Sequence, residues 1–188
     1  MIAKGQDNHQ KIVDVANKLF YQRGYNQTSF AEIAEAVGMP KGNFYYYFKS
    51  KDDLLAAVID HRIMQMTSML AEWDAQYNQP KERLHRFISM LLNSEENLVR
   101  YGCPMGSLNV ELSKTQPEMQ AKAKEMFAVF VDWLKWQFDA LGHGSEAREL
   151  ALHFMARAQG VSLITNAYSD AVFLHHEVEQ INRWIDEL

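Results

Sequence analysis

Apolar residues recur along most of this chain at intervals of three and four positions, the period of an α-helix with one buried face. The first such segment, residues 9–23, has apolar positions at Ile12, Val15, Ala16, Leu19 and Phe20. The same pattern predicts further helices over residues 29–37, 40–48, 51–76, 81–100, 107–113, 117–141, 146–168 and 172–188. The sequence shows no strand-like alternation bounded by hairpin turns. We therefore expect an all-α fold of about nine helices.

Residues that favour helix ends separate the first three helices. Gly24 follows the first helix as a stop signal. Ser29 and Glu32 have the spacing of a capping box at the start of the second helix. Gly38 supplies a turn, and Pro40 suits the first position of the third helix. Two short helices joined by such a turn form the geometry that places the second of them in a DNA major groove.

The third helix carries the sequence KGNFYYYF, and its chemistry suits nucleic acid. Phe44 and Phe48 are four residues apart and are expected to anchor the helix in the core. Three consecutive tyrosines, residues 45–47, point in widely different directions and cannot all be buried. Phenol and amine groups suit phosphate contacts, and small residues allow close approach to base edges. The alternative is an ordinary aromatic packing stripe flanked by solvated lysines.

The acidic net charge of −5 does not exclude a nucleic-acid partner once it is divided along the chain. Residues 1–53 hold seven Lys and Arg against six Asp and Glu, a net +1. Residues 54–188 hold twelve against eighteen, a net −6, so the two parts sum to −5. A DNA-binding protein needs a local basic face rather than a basic chain. We therefore predict a DNA-binding domain in residues 1–53 and a second domain in residues 54–188.

Several classes of protein are disfavoured by what the sequence lacks. It has no uncharged apolar run of about 18 residues and no signal peptide, so we expect a cytoplasmic protein without a membrane partner. The single cysteine, Cys103, excludes an intrachain disulfide. No Ser/His/Asp signature or phosphate loop appears, and His175 and His176 point about 100° apart on a helix, unlike a metal pair. We expect no enzyme activity, no cofactor and no metal.

Residues 9–60 resemble the TetR family of bacterial transcription regulators. The resemblance rests on Gly24-Tyr25, on the T-S-x-x-x-I-A segment that begins at Thr28, and on the KGNFYYYFKSK block that begins at Lys41. Residues 61–188 resemble the family only in the number, length and spacing of helices. The family implies a three-helix DNA-binding head, a linking fourth helix over residues 51–76, and a C-terminal ligand-binding and dimerisation bundle. It also implies a homodimer through the last two helices.

The resemblance implies contacts to operator DNA from nine residues: Thr28, Ser29, Lys41, Gly42, Asn43, Tyr45, Tyr46, Tyr47 and Lys51. The Thr28 hydroxyl lies at a helix N-terminus, which favours an anion, and is expected to contact phosphate. The residues that open the third helix are expected near base edges, and the tyrosines and Lys51 near phosphates. Many family members carry Ser or Thr where this chain has Pro40, so we expect its sequence preference to differ.

Methionine and aromatic residues in the C-terminal part suit an adaptable pocket for a small-molecule effector, although filling of the core explains them equally. Asn109, Glu111 and His153 are candidate polar contacts there. The predicted effector site comprises Met66, Phe87, Met90, Leu91, Cys103, Asn109, Phe127, Phe130 and Trp133.

Cys103 has two interpretations. It is either a small buried hydrophobic residue or a reactive thiol whose pKa a helix N-terminus lowers. The segment Gly102–Leu108 resembles that of family members, some of which use thiol chemistry. We therefore expect a repressor that binds a palindromic operator as a dimer and that an apolar or electrophilic effector releases. A thiol-based sensor acting through Cys103 and a helical protein-binding adaptor remain the alternatives.

Overall fold

The computed structural model describes the backbone of residues 2–188 and the side chains of residues 7–40 and 42–188. Across residues 2–188 there are ten α-helices, one short 3-10 turn (Gly144–Glu146) and no strand, which confirms the all-α prediction. The helices are α1 (Ile2–Arg23), α2 (Phe30–Val37), α3 (Lys41–Tyr47), α4 (Lys51–Gln76), α5 (Pro80–Asn93), α6 (Glu95–Tyr101), α7 (Pro104–Thr115), α8 (Pro117–Ala140), α9 (Ala147–Tyr168) and α10 (Ala171–Glu187).

Close contacts divide the chain into two compact units. The first unit contains the chain up to Met64 together with Ser107–Met126. The second contains Gln65–Gly106 and Phe127–Leu188. Helices α4, α7 and α8 therefore contribute residues to both units. The functional boundary that we predict after residue 53 lies within the first unit and stays a prediction.

The first unit has an apolar core built from the buried faces of α1 to α4. Phe44 and Phe48 of α3 are buried there, as their four-residue spacing predicts. The ring of Phe44 meets that of Phe30 edge-on, with 4.7 Å between the ring centroids. Burial of a phenylalanine side chain contributes about 1.5–3 kcal/mol. These contacts fix α3 on the core through one face and leave its other face free. Fully buried aliphatic residues of α1, α2 and α4 in this core include Ile12, Ile33, Leu54, Leu55, Val58 and Ile59.

Aromatic rings form the centre of the second unit. Phe87 of α5 meets Phe130 of α8 edge-on at 5.1 Å and lies 5.6 Å from Phe154 of α9, measured between ring centroids. Helix α10 packs on α5 and α9 through one apolar stripe. The buried residues of that stripe recur at three- and four-residue steps: Leu174, Val178, Ile181 and Ile185. None of the helices in the described part of the chain is long and apolar enough to span a membrane.

Several predicted helix boundaries are wrong, two of them by more than a few residues. The helix predicted over residues 81–100 is in fact two helices, because the backbone at Ser94 has φ −110° and ψ 12° and α6 starts anew after it. The segment Ser94-Glu95-Glu96 is typical of a helix start, and that signal explains the break. The first helix starts at Ile2 rather than near His9. Its early turns carry mostly polar residues, so an apolar pattern does not reveal them.

Candidate nucleic-acid interface

Helices α2 and α3 are joined by a turn that two local signals define. Ser29 caps α2: its hydroxyl accepts a hydrogen bond from the Glu32 N–H at 3.1 Å, and the Glu32 carboxylate accepts one from the Ser29 N–H at 2.8 Å. Hydrogen bonding of the Glu32 carboxylate to the side chain and to the backbone N–H of Ser29 holds the pKa of Glu32 below its usual value. At the other end Gly38 adopts a left-handed conformation, with φ 71°, and its N–H donates to carbonyls of the last turn. The chain thereby reverses into α3 within three residues.

Pro40 precedes α3 instead of opening it. Its ψ of 137° is extended, and its carbonyl accepts hydrogen bonds from the N–H groups of Asn43 and Phe44 at 2.9 and 3.1 Å. The predicted first helical position of Pro40 is therefore wrong by one residue. Proline fits either place, because its fixed φ is shared by the helix and by the extended residue before it.

The outward face of α3 presents tyrosine rings and small polar groups. Tyr46 is 76% exposed and Tyr45 is 50% exposed, and Gly42 and Asn43 are exposed beside them. Tyr47 is half-buried, and its phenol oxygen accepts a hydrogen bond from the Asn8 side chain of α1 at 3.2 Å. The side chain of Lys41, a predicted contact, lies outside the described residues. The face therefore offers two exposed phenols at the positions where phosphate contacts are predicted.

Lys49 adds a positive charge to this face, although the predicted contacts omit it. Its amine donates to the Tyr45 carbonyl at 2.8 Å and lies 6.0 Å from the centre of the Tyr46 ring. The side chain is exposed. The sequence signal that could have identified Lys49 is its position directly after the aromatic block of residues 44–48. We name the surface formed by Gly42, Asn43, Tyr45, Tyr46 and Lys49 the α3 face.

Thr28 and Lys51 point toward the protein rather than toward solvent. Thr28 is fully buried, and its hydroxyl donates to the Gly24 carbonyl at 2.7 Å. The Lys51 amine donates to the carbonyls of Tyr25 and Thr28 at 3.0 and 3.2 Å and lies 4.1 Å above the Tyr25 ring. The phosphate contact predicted for Thr28 is therefore corrected, because its hydroxyl holds the turn between α1 and α2. Lys51 holds the same turn through its amine.

A carboxylate from α7 also holds that turn. Glu111 accepts hydrogen bonds from the N–H groups of Tyr25 and Asn26 at 2.9 and 2.6 Å. The Tyr25 side chain is almost fully buried, and its hydroxyl donates to the Asp52 carboxylate. Burial, reinforced by this bond to an acidic group, raises the pKa of Tyr25. Glu111 was expected to contact an effector. Within the first unit it instead contacts the segment that leads into α2.

The nine residues predicted to contact an effector are divided unevenly between the two compact units. Asn109 belongs to the first unit, where its side chain donates to the Ala123 carbonyl at 3.2 Å. The remaining eight belong to the second unit. Of these, Phe87, Leu91, Phe130 and Trp133 are buried, and Met66, Met90, Cys103 and Phe127 are half-buried.

The described side chains bear on the predictions about a metal and about Cys103. Among the described residues, no three His, Cys, Asp or Glu side chains are grouped so that they could hold a metal ion. The Cys103 sulfur accepts a hydrogen bond from the Gly106 N–H at 3.4 Å. Half burial and a weak N–H···S contact are also typical of structural cysteines, so the geometry does not favour the sensor hypothesis.

Comparison with known proteins relates the N-terminal part of the chain to a known family. Residues 12–58 match the sequence model described as bacterial regulatory proteins, tetR family. A helix-turn-helix transcriptional regulator encoded in the lacX 3′ region of Lactococcus lactis is 29% identical over 128 residues, which cover 65% of this chain and 64% of that protein. The helix-turn-helix transcriptional repressor DhaR of Mycobacterium sp. strain GP1 is 30% identical over 128 residues, covering 67% and 61%. This chain thus covers less than two thirds of either relative.

The fold comparison extends over nearly the whole chain. The crystal structure of a TetR transcriptional regulator from Legionella pneumophila superposes with a TM-score of 0.82 at 27% identity and covers 94% of each chain. The helix-turn-helix of α2 and α3, the matched sequence model and this whole-chain similarity agree with one another. This protein belongs to the TetR family of bacterial regulatory proteins.

Proposed function

We propose that this protein is a DNA-binding transcription regulator, a dimeric repressor that a small-molecule effector releases from its operator. The observation that carries the proposal is the α3 face, on which Tyr45 and Tyr46 are exposed while Phe44 and Phe48 anchor the opposite side. The relative DhaR is named a repressor, which supports the same direction of control. Membership of the TetR family supports the DNA-binding role.

In this proposal α3 enters the major groove with the α3 face toward the DNA. The phenols of Tyr45 and Tyr46 donate hydrogen bonds to phosphates, and Lys49 supplies positive charge beside them. Gly42 lets the backbone approach base edges, since it carries no side chain. If each head neutralises about four phosphates, the slope of log K against log salt is on the order of −7 for the dimer.

An apolar stripe on α9 supports the dimer. Its residues are exposed although most are apolar or small, and they recur at three- and four-residue steps: Leu152, Ala156, Gly160, Leu163, Ile164, Ala167 and Tyr168. Val172 at the start of α10 continues it. Such a stripe is stabilised when a second copy covers it. A two-fold dimer presents α3 twice and therefore selects a palindromic operator.

Helix α7 is our candidate for the element that couples effector to operator. It begins at Pro104 with residues of the second unit and carries Glu111, which holds the turn before α2 in the first. Displacement of α7 would therefore move or break the two hydrogen bonds to that turn. An effector that reverses the equilibrium from 99:1 to 1:99 needs about 5.5 kcal/mol of preference for the released state.

Gel retardation of DNA fragments by the protein tests the proposal directly. The probes are fragments selected from genomic DNA by the wild-type protein. We expect the double variant Tyr45→Phe/Tyr46→Phe to lose roughly 100-fold or more in affinity, because the dimer loses four phosphate hydrogen bonds, two from each head. The matched control is Tyr77→Phe, which removes a phenol outside the α3 face. Selection of no fragment, or equal affinity of the double variant and the wild type, would contradict the proposal.

A further inference from the structure

The second unit contains a cation whose role the fold does not explain. Arg86 of α5 has its guanidinium carbon 4.5 Å from the centre of the Trp73 ring. Its Nη1 atom is buried and has no hydrogen-bond partner within the described part of the chain. Arginine keeps its charge at all ordinary pH values, so burial does not neutralise it. A buried charged donor without a partner is costly, and such a group is retained mainly where something else pairs with it.

Arg83, one turn before Arg86 on the same helix, is an arginine whose guanidinium is paired within the fold. Its guanidinium pairs with the Asp74 carboxylate at 3.2 Å and donates to the carbonyl of Tyr77 at 3.1 Å and to the Gln137 side chain at 3.2 Å. The indole N–H of Trp133 also donates to the Asp74 carboxylate, at 3.1 Å. The nearby acid thus already accepts from two other side chains, those of Arg83 and Trp133. In contrast to Arg83, Arg86 has a buried N–H donor, at Nη1, with no hydrogen-bond partner among the described residues.

Residues of the predicted effector site share a helix face with Arg86, or lie next to the Trp73 ring that Arg86 contacts. Met90 lies four residues after it, on the same face of α5. On α4, Met66 lies seven residues before Trp73 and shares its face. Trp73 meets Trp133 edge-on, with 5.9 Å between ring centroids. Polarizable thioethers and indoles around one charged donor are typical of a site for a small amphipathic ligand.

We propose that the effector is a carboxylate with an apolar body, and that Arg86 binds its carboxylate group. The planar guanidinium matches a carboxylate geometrically, and pairing supplies the partner that Nη1 lacks. The apolar body then packs against Trp73 and the methionines. This inference rests on the proposed regulatory function and narrows its effector from an apolar or electrophilic compound to an organic acid.

Binding measurements on the full-length protein test the charge preference. The probes are octanoate, phenylacetate and benzoate, each compared with its neutral alcohol: octanol, phenylethanol and benzyl alcohol. Quenching of tryptophan fluorescence gives each dissociation constant. At least one acid should bind the wild type about 10- to 100-fold more tightly than its alcohol, as expected for a charge-assisted bond. Arg86→Gln should abolish this preference, whereas Arg148→Gln, which changes an exposed arginine of α9, should keep it.

Thermal unfolding separates a binding role from a structural one. If Arg86 mainly stabilised the fold, Arg86→Met would lower the unfolding temperature of the unliganded protein. We expect that temperature to stay unchanged or rise, because a charge with an unpaired donor is removed. The rise in unfolding temperature that the acid causes in the wild type should disappear in the variant.

Gel retardation distinguishes the proposed regulatory function from the proposed organic-acid effector. The unliganded Arg86→Gln variant should retain operator DNA as the wild type does, and the acid should release DNA only from the wild type. Absence of specific DNA retention would refute the regulatory function, whereas acid binding is measured without DNA. The inference is overturned if no acid in the panel binds, if acids and alcohols bind equally, or if Arg86→Gln keeps the preference.

Discussion

Lys49 and Lys51 lie two residues apart, yet their amines have different surroundings. The Lys49 side chain is exposed beside Tyr46, where it can pair with a phosphate. The Lys51 amine is held by two backbone carbonyls and by the face of the Tyr25 ring. A cation over an aromatic ring gains about 0.5–2 kcal/mol, depending on its desolvation. Removing Lys51 should therefore disturb the turn between α1 and α2, whereas removing Lys49 should weaken DNA binding alone.

Glu111 is the residue whose removal should affect that turn most. Glu111→Ala leaves the amides of Tyr25 and Asn26 without their carboxylate partner, so we expect about 1–3 kcal/mol less free energy of unfolding. DNA affinity should fall with it, because the turn positions α2. Urea denaturation and gel retardation measure the two effects. Glu118→Ala, at an exposed position of α8, is the control and should change neither quantity. Unchanged stability of Glu111→Ala would remove α7 as the coupling element.

Sequence spacing predicts some of these residue roles and misses others for a physical reason. Phe44 and Phe48 are found because residues four apart share one face of a helix. The exposure of Tyr45 and Tyr46 follows from the same geometry. Glu111 is missed because its partner Tyr25 is 86 residues away in the chain, and Arg86 because an unpaired donor is visible only when every neighbour is placed. Local chemistry shows which groups can bind phosphate, and tertiary contacts decide which of them are free to do so.

The helix-turn-helix depends on two glycines that act in opposite ways. Gly38 has a left-handed backbone, which costs an alanine roughly 1–2 kcal/mol. Gly42 lies inside α3, where alanine is favoured over glycine by about 0.5–1 kcal/mol. An added Cβ at either position meets no described heavy atom within 4 Å, so backbone conformation alone decides the sign.

We therefore expect opposite changes in stability from the same substitution. Gly38→Ala should lower the free energy of unfolding, and Gly42→Ala should raise it. Gly42→Ala should nevertheless weaken operator binding, because the new methyl group lies on the α3 face. Thermal unfolding and gel retardation of the two variants provide the comparison. If Gly42→Ala gained stability without losing DNA affinity, close approach of the α3 backbone to the bases would be refuted.

For the whole molecule, assembly into pairs decides whether two α3 faces can act together. A linked pair of weak binding modules gains about 10²–10⁴-fold over one module through effective concentration. The α9 stripe is the surface available for this linkage, since its apolar residues are exposed while the opposite face of α9 is buried against α6 and α10. A charged side chain introduced at the centre of the stripe should therefore weaken DNA binding, although the stripe is not part of the α3 face.

Leu163→Glu provides that test, because Leu163 is 64% exposed at the centre of the stripe. Pairing would bury the new carboxylate in an apolar interface, so the variant should be monomeric where the wild type has twice the mass of one chain. Its operator affinity should fall about 100-fold or more while its unfolding temperature at high dilution stays close to that of the wild type. Val110→Glu, at a residue of the first unit that is 58% exposed, is the matched control and should remain a dimer. A dimeric Leu163→Glu variant would locate the interface elsewhere, and a monomeric variant with full operator affinity would show that one α3 face suffices.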